Sequence, residues 1–318
     1  MKRLAILDDY LHMALDSADW KQLEGRVQVD VIDRKLEVPD EAAEVLAPYH
    51  MLCHMRERTP MPRALIERLP NLEFMTVTGK THRTLDMDAA RERGIVVSHV
   101  SSAVEGSRST PELAWGLILA VARHIAFEDR MTRQGHWQRT AGMMLDGKTL
   151  GLLGLGRVGR AMAVIGQAFG MKVLAWSPNL TAEAAAEYGV ERVDKDELFR
   201  RSDVLSIHVV LNEGSRGLVG ERELALMKRR SILINTSRGP IVNEAALLAA
   251  LRSGAIEGAG LDVFDQEPLP ADHPLLGLDN VVLTPHLGYG SRDTIEAFHR
   301  ASLDGVLAYL DGAPIGIR

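Results

Sequence analysis

Short apolar runs alternate along the whole chain with stretches whose apolar positions recur at helical spacing. The runs predict strands at Leu4–Leu7, Val27–Ile32, Met51–Cys53, Phe74–Val77 and Ile95–Val97, with helices such as Arg63–Arg68 and Asp88–Arg93 between them. A second series follows, with strands at Thr149–Leu153, Lys172–Trp176, Val204–Val209, Ile232–Asn235, Gly258–Leu261 and Val281–Leu283. Strand and helix in strict alternation predict an α/β fold with two parallel sheets. Between the series, Ser107-Arg108-Ser109-Thr110-Pro111-Glu112 reads as a helix start, with Thr110 as N-cap and Pro111 at the first helical position. That helix runs through Trp115 and Leu119 towards His124, and its apolar content suits a buried element joining two domains. A last helix, Asp293–Leu310, follows a second sheet that six strands already complete, so it is expected to return to the first domain. The domain expectation is therefore 1–100 with 288–318, and 101–287.

The second series opens on the most informative segment, Leu150-Gly151-Leu152-Leu153-Gly154-Leu155-Gly156-Arg157-Val158-Gly159. Its three glycines, spaced G-x-G-x-x-G, stand between a predicted strand and a predicted helix, the context that separates a dinucleotide fingerprint from chance glycines. Gly154 permits the turn, Gly156 lets the backbone approach a pyrophosphate, and Gly159 lets helix and strand pack. The helix start, with Arg157 and Val158, offers N–H groups and partial positive charge to the phosphates.

In open α/β sheets ligands lie beyond the carboxyl ends of the strands, and three polar residues follow successive predicted strands there. They are Arg238 in Asn235-Thr236-Ser237-Arg238-Gly239, Glu267 in Asp265-Gln266-Glu267-Pro268, and His286 in Thr284-Pro285-His286-Leu287-Gly288. Hydride transfer to a carbonyl carbon needs a proton donor on the oxygen, and histidine titrates in the right range. A carboxylate beside it orients the ring and favours the imidazolium. Arginine grips a substrate carboxylate with two parallel donors. Singly, each residue also fits a structural role as cap, turn residue or core histidine; it is their order that points to chemistry.

Composition narrows the class. The 318 residues with 46% apolar content supply core for about two domains. Net charge is −6 with both signs interspersed and no long basic run, which argues against a nucleic-acid surface. The one cysteine, Cys53, allows no internal disulfide and reads as a buried thiol. The N-terminal apolar stretch is too short for a signal peptide and no segment suits a membrane span, so a cytoplasmic location is expected. His54, His82, His99 and His136 show no metal-ligand spacing, and Met143-Met144 suits packing.

Taken together, Leu150–Gly159, Asn235–Gly239, Leu261–Pro268 and Thr284–Gly288 resemble the signature segments of the D-isomer-specific 2-hydroxyacid dehydrogenase family, and the resemblance spans essentially the whole chain. It implies two doubly wound parallel-sheet domains, a Rossmann nucleotide-binding domain inserted in a flavodoxin-like substrate domain. It implies Arg238 as the group that binds and polarises the 2-oxo acid, His286 as acid/base and Glu267 as its partner. It also implies Asp262 near the nicotinamide amide and Thr236 and His208 in the cofactor site. For His208 a plain strand-end role is equally open. A homodimer acting on a small 2-oxo/2-hydroxy acid pair is the family expectation, with glyoxylate/hydroxypyruvate reductase as the leading subtype. D-3-phosphoglycerate dehydrogenase is less favoured, because an end at Arg318 leaves no room for the regulatory extension many of those enzymes carry, though the short form stays open. A non-catalytic NAD(H)-sensing corepressor is the rival from another class. Formate dehydrogenase is disfavoured, since those relatives pair the histidine with Gln.

The sequence departs from the family pattern in three places. Ser177 stands where an acidic residue would bond the adenine ribose, so NAD and NADP are both open. The substrate loop Thr76-Val77-Thr78-Gly79-Lys80-Thr81-His82 keeps one glycine, Gly79, where two are usual. Lys80 of that loop and Arg56 after the preceding strand are candidate substrate contacts, which would favour an acidic or bulkier 2-oxo acid. Val210 replaces a frequent proline.

Overall fold

The computed structural model describes residues 1–79, 82–100 and 108–317. The chain divides into two compact units, Met1–Ser107 with Ser291–Arg318, and Arg108–Gly290.

The first unit carries strands β1 (Lys2–Ile6), β2 (Val27–Val31), β3 (Met51–His54), β4 (Phe74–Val77) and β5 (Val96–His99) in the order β2-β1-β3-β4-β5, every pair parallel. This is the flavodoxin-like order. β3 and β4 are buried at every position, as strands covered on both faces must be. Alternation along β1 feeds two cores. Ala5 and Leu7 pack with Leu52, Met75 and Val77 on one face. Leu4 and Ile6 pack with Met51, Cys53 and Phe74 on the other, where Leu303 and Val306 of the helix Arg292–Leu310 close the layer. The final helix thus covers the first sheet, with Tyr309 stacked on Phe74 at a centroid distance of 4.3 Å. Burial pushes the Cys53 thiol up to about 12, so it packs as an inert apolar group.

The second unit carries β6 (Thr149–Leu153), β7 (Lys172–Trp176), β8 (Glu191–Arg192), β9 (Val204–Ile207), β10 (Ile232–Asn235), β11 (Gly258–Leu261) and β12 (Val281–Leu283). Their order is β12-β11-β10-β9-β6-β7-β8, all parallel. Renumbered from β6, this is the 3-2-1-4-5-6 Rossmann order extended by one strand, with its switch point between β6 and β9. The sequence pattern misses β8 because two exposed charged residues carry no apolar signal.

The helix between the two series runs over Ser109–Ala122, with Ala114, Trp115, Leu117, Ile118 and Val121 buried. Its start corrects an expectation: Arg108 is the N-cap, with no side-chain cap bond, and Pro111 falls inside the first turn. Thr110 does not cap, because its hydroxyl donates instead to the Gly288 carbonyl at 2.8 Å. Elsewhere the predicted bounds shift by a residue or two at element ends; Val204–Val209 shortens to Val204–Ile207 where the chain leaves the sheet.

Candidate active site

The loop from β6 into the helix Arg157–Ala168 forms a cradle with no room to spare on the protein side. Gly154 has φ +107°, and a Cβ there would lie 2.8 Å from the His208 carbonyl carbon. A Cβ on Gly159 would meet the Gly154 carbonyl oxygen at 2.1 Å. Gly156, the N-cap, differs: its φ of −77° suits any residue, and a Cβ would meet no protein atom within 4 Å. The space beside Gly156 is what a pyrophosphate needs, next to first-turn N–H groups of Arg157, Val158 and Gly159 that the helix cannot satisfy from within. The cradle therefore fits a dinucleotide. Ser177 follows β7, its carbonyl closing a turn with the Leu180 N–H at 3.1 Å. Thr236 is buried, and its hydroxyl is without a partner among the described residues, so it too has a bond to give to a bound group. His208 hydrogen-bonds Ser206 Oγ through Nε2 at 2.8 Å, and burial holds its imidazole down at about 3, so the ring is neutral.

At the ends of β10, β11 and β12 the polar groups converge. Asn235 staples its loop: its Oδ1 accepts from the Ser237 N–H at 3.0 Å and its Nδ2 donates to the Arg238 carbonyl at 2.9 Å. Arg238 Nη1 donates to the Ser237 carbonyl at 2.7 Å. The loop lies hard against the next one, since a Cβ on Gly239 would sit 2.1 Å from the Phe264 carbonyl carbon. That close approach brings Arg238 towards Glu267.

Glu267 uses both oxygens. Oε1 accepts from the Phe264 N–H at 2.9 Å and Oε2 accepts from His286 Nδ1 at 2.6 Å. Burial works to raise its pKa, but the bond from His286, that ring's charge, the Phe264 N–H and the Arg238 guanidinium together hold it below the usual range. Arg238, Glu267 and His286 are thus electrostatically linked. Because Glu267 accepts at Nδ1, the Nδ1 proton is fixed there and Nε2 is the nitrogen left to exchange a proton.

His286 itself has φ +55°, a left-handed conformation uncommon for a non-glycine residue. Its loop is held by Asp262, which is fully buried. Asp262 Oδ1 accepts from Thr284 Oγ1 at 2.6 Å and the Leu287 N–H at 2.7 Å, Oδ2 accepts from the Gly288 N–H at 2.8 Å, and its carbonyl accepts from the His286 N–H at 2.9 Å. Burial raises the Asp262 pKa against these bonds. The staples Asn235 and Thr284 are not singled out by sequence reasoning; a polar residue at the last strand position or just after it is the signal that marks both.

In the first unit, Arg56 follows β3 with φ +60°. Its N–H donates to Thr78 Oγ1 at 2.7 Å, Nη1 donates to the Thr78 carbonyl at 3.3 Å, and the guanidinium lies 6.0 Å from the Phe298 ring centroid. Gly79 follows β4 with φ +123°, a conformation that only glycine adopts readily. Lys80 lies outside the described residues. His54 and His82 are buried, with ring centroids 5.3 Å apart.

A Rossmann sheet with a cradle that fits a dinucleotide and a hydrogen-bonded Glu–His pair at its carboxyl edge has the parts of a dinucleotide-dependent oxidoreductase. Residues 115–288 match the NAD binding domain of the D-isomer specific 2-hydroxyacid dehydrogenases. The chain is 32% identical to the hydroxypyruvate reductase of Blautia hydrogenotrophica, over 99% of each protein. It is 39% identical to the glyoxylate reductase of Aeropyrum pernix, over 78% of this chain and 76% of that protein. The crystal structure of a phosphoglycerate oxidoreductase from Vibrio cholerae superposes with a TM-score of 0.90 at 35% identity, covering 98% of this chain and 100% of that one. The chain belongs to the D-isomer specific 2-hydroxyacid dehydrogenase family and is an NAD-binding oxidoreductase of small hydroxy and oxo acids.

Proposed function

We propose that the protein reduces a small 2-oxo acid of the glyoxylate or hydroxypyruvate type to the D-2-hydroxy acid, with Arg238, Glu267 and His286 as its catalytic set. The observation that carries this is the His286 Nδ1–Glu267 Oε2 bond of 2.6 Å within the electrostatic reach of Arg238. Arg238 binds the substrate carboxylate and polarises the carbonyl. A bound nicotinamide supplies the hydride. His286, protonated, gives its Nε2 proton to the substrate oxygen, and Glu267 stabilises the imidazolium and fixes its orientation. In this reading Gly154, Gly156, Arg157, Val158 and Gly159 hold the pyrophosphate. Thr236, His208, Ser177 and Asp262 shape the rest of the cofactor site, and Arg56, Gly79 and Lys80 are the further residues assigned to substrate binding. In this reading 1–100 with 288–318 form the substrate domain and 101–287 the dinucleotide domain, while the compact units divide at Ser107–Arg108 and Gly290–Ser291.

Ser177 presents no carboxylate to repel a 2′-phosphate, which supports use of NADP as well as NAD. A homodimer in the cytoplasm completes the reading. It is supported by the helix Ile125–Arg133, which buries no residue, and by Trp137 and Met144, exposed by 77% and 70%. No helix among the described residues is long and apolar enough to cross a membrane.

The test is reduction of glyoxylate, hydroxypyruvate, 3-phosphohydroxypyruvate, pyruvate and phenylpyruvate with NADH and with NADPH. Turnover led by glyoxylate or hydroxypyruvate is expected. A lead for 3-phosphohydroxypyruvate would select the phosphoglycerate reading. Dinucleotide binding without turnover on any acid would select the sensor reading, which the named relatives do not favour.

A further inference from the structure

We infer that Thr110 is a positioning residue for His286, acting through Gly288 and Asp262; this rests on the reading of His286 as the acid/base. Thr110 is the second residue of the helix Ser109–Ala122, where a motif of this kind would ordinarily spend the hydroxyl on its own helix. Here Oγ1 reaches 178 residues along the chain to the Gly288 carbonyl at 2.8 Å. The helix it stands on is anchored by Ala114, Trp115, Leu117 and Ile118 in the core of the second unit, so the tether has a rigid end.

The other end is the loop that carries His286. Asp262 grips that loop at Thr284, Leu287 and Gly288, and its carbonyl takes the His286 N–H. Gly288 is held from both sides by groups outside the loop, its N–H by Asp262 and its carbonyl by Thr110. The fit is tight, since a Cβ on Gly288 would come within 3.2 Å of Asp262 Oδ2 and 3.4 Å of Thr110 Cγ2. His286 needs this support because its left-handed backbone, φ +55°, persists only where the surroundings over-determine it. Loss of the Thr110 bond frees the carboxyl-terminal end of the loop and loosens the 2.6 Å contact between His286 and Glu267.

The charged and titratable groups around the ring set the sign of the effect. Glu267 bonds Nδ1 and itself feels the charge of Arg238, Asp262 interacts with the ring through its charge, and Tyr289 stands edge-on at 6.2 Å. A looser contact with Glu267 costs the imidazolium more than the neutral ring. The reductive reaction needs the protonated ring, so its alkaline limb moves to lower pH.

The experiment compares wild type, Thr110→Val, Thr110→Ser and His286→Ala in glyoxylate reduction across pH, with NADH binding measured separately by fluorescence. Thr110→Val should lower kcat by about tenfold and move the alkaline limb of kcat/KM down by roughly half a unit or more, with NADH affinity within about twofold. Thr110→Ser, which keeps the hydroxyl, should restore both kcat and the limb. A merely structural role would lower the melting temperature and leave the limb in place. An unchanged limb and kcat in Thr110→Val, with His286→Ala inactive, would overturn the inference and leave the acid/base reading standing. An active His286→Ala would overturn the reading beneath it. Should Thr110→Val fail to fold, Thr110→Ala carries the same comparison.

Discussion

Both units end their parallel sheets in polar residues, yet the two edges use them in opposite ways. At the edge of the second unit the side chains bond one another: Glu267 holds His286, feels Arg238, and leaves Nε2 of the ring for chemistry. At the edge of the first unit the ion pair of Glu57 with Arg83 stands among groups that bond backbone or are buried. Arg56 serves Thr78, and buried Asp8 accepts from the Thr59 N–H and hydroxyl. His54 and His82 pack against each other in the core. The histidines make the contrast sharp. Burial pushes His82 down to about 4 and His54 well below its ordinary value, so neither ring carries a proton near neutral pH. His286 keeps a carboxylate partner and about a third of its side chain exposed, at 36%. At the second edge a carboxylate partner and a partly open face meet at one histidine, His286. The first edge supplies fixed geometry, with left-handed Asp8 and Arg56 at φ +61° and +60° beside Gly79 at φ +123°.

The largest effect expected from breaking this contrast is on turnover. His286→Ala or Arg238→Ala should cost at least about a thousandfold in kcat/KM while sparing dinucleotide binding, measured by titration of NADH fluorescence. His54→Ala should instead cost folding stability through a core cavity, at about 1–3 kcal/mol by denaturant titration, because its ring packs and does not titrate.

The glycine cradle divides in the same way between ligand and fold. Gly156→Ala should weaken NADH binding by about tenfold or more with little change in melting temperature, because its Cβ would meet only ligand space. Gly159→Ala should destabilise the fold by about 1–3 kcal/mol, because its Cβ would collide with the Gly154 carbonyl.

The most gradual effect is on pH stability. His82 has a folded pKa of about 4, below its ordinary 6.5. Between these values the unfolded chain binds a proton that the folded chain refuses, so stability is fully present above about 6.5 and falls as pH drops towards 4. The loss is at most about 3 kcal/mol. His82→Asn should flatten that slope in denaturant titrations run between pH 7 and 4.

The sequence reading reached furthest where a local pattern has a single structural meaning. Alternating apolar runs located eleven of the strands, and β8 escaped because Glu191 and Arg192 are exposed and charged. The glycine spacing placed the cradle, and position after a strand placed Arg238, Glu267 and His286. Bonds between distant segments stayed out of reach. Thr110 has the sequence context of a cap but serves Gly288, 178 residues away, and nothing local signals that partner. The grip of Asp262 on the His286 loop is likewise a matter of tertiary contact. Arg56 was legible as a cation after a strand, whereas its bonds to Thr78 needed the fold.

The central claim is that Glu267 and His286 act as one proton-transfer unit. It is tested most directly by the pH dependence of kcat/KM for glyoxylate reduction in wild type and Glu267→Gln. Glutamine keeps the shape and removes the charge that favours the imidazolium. The account predicts an alkaline limb displaced to lower pH by about one unit, with kcat lowered by roughly ten- to a hundredfold. A limb at the same pH in both proteins would contradict it.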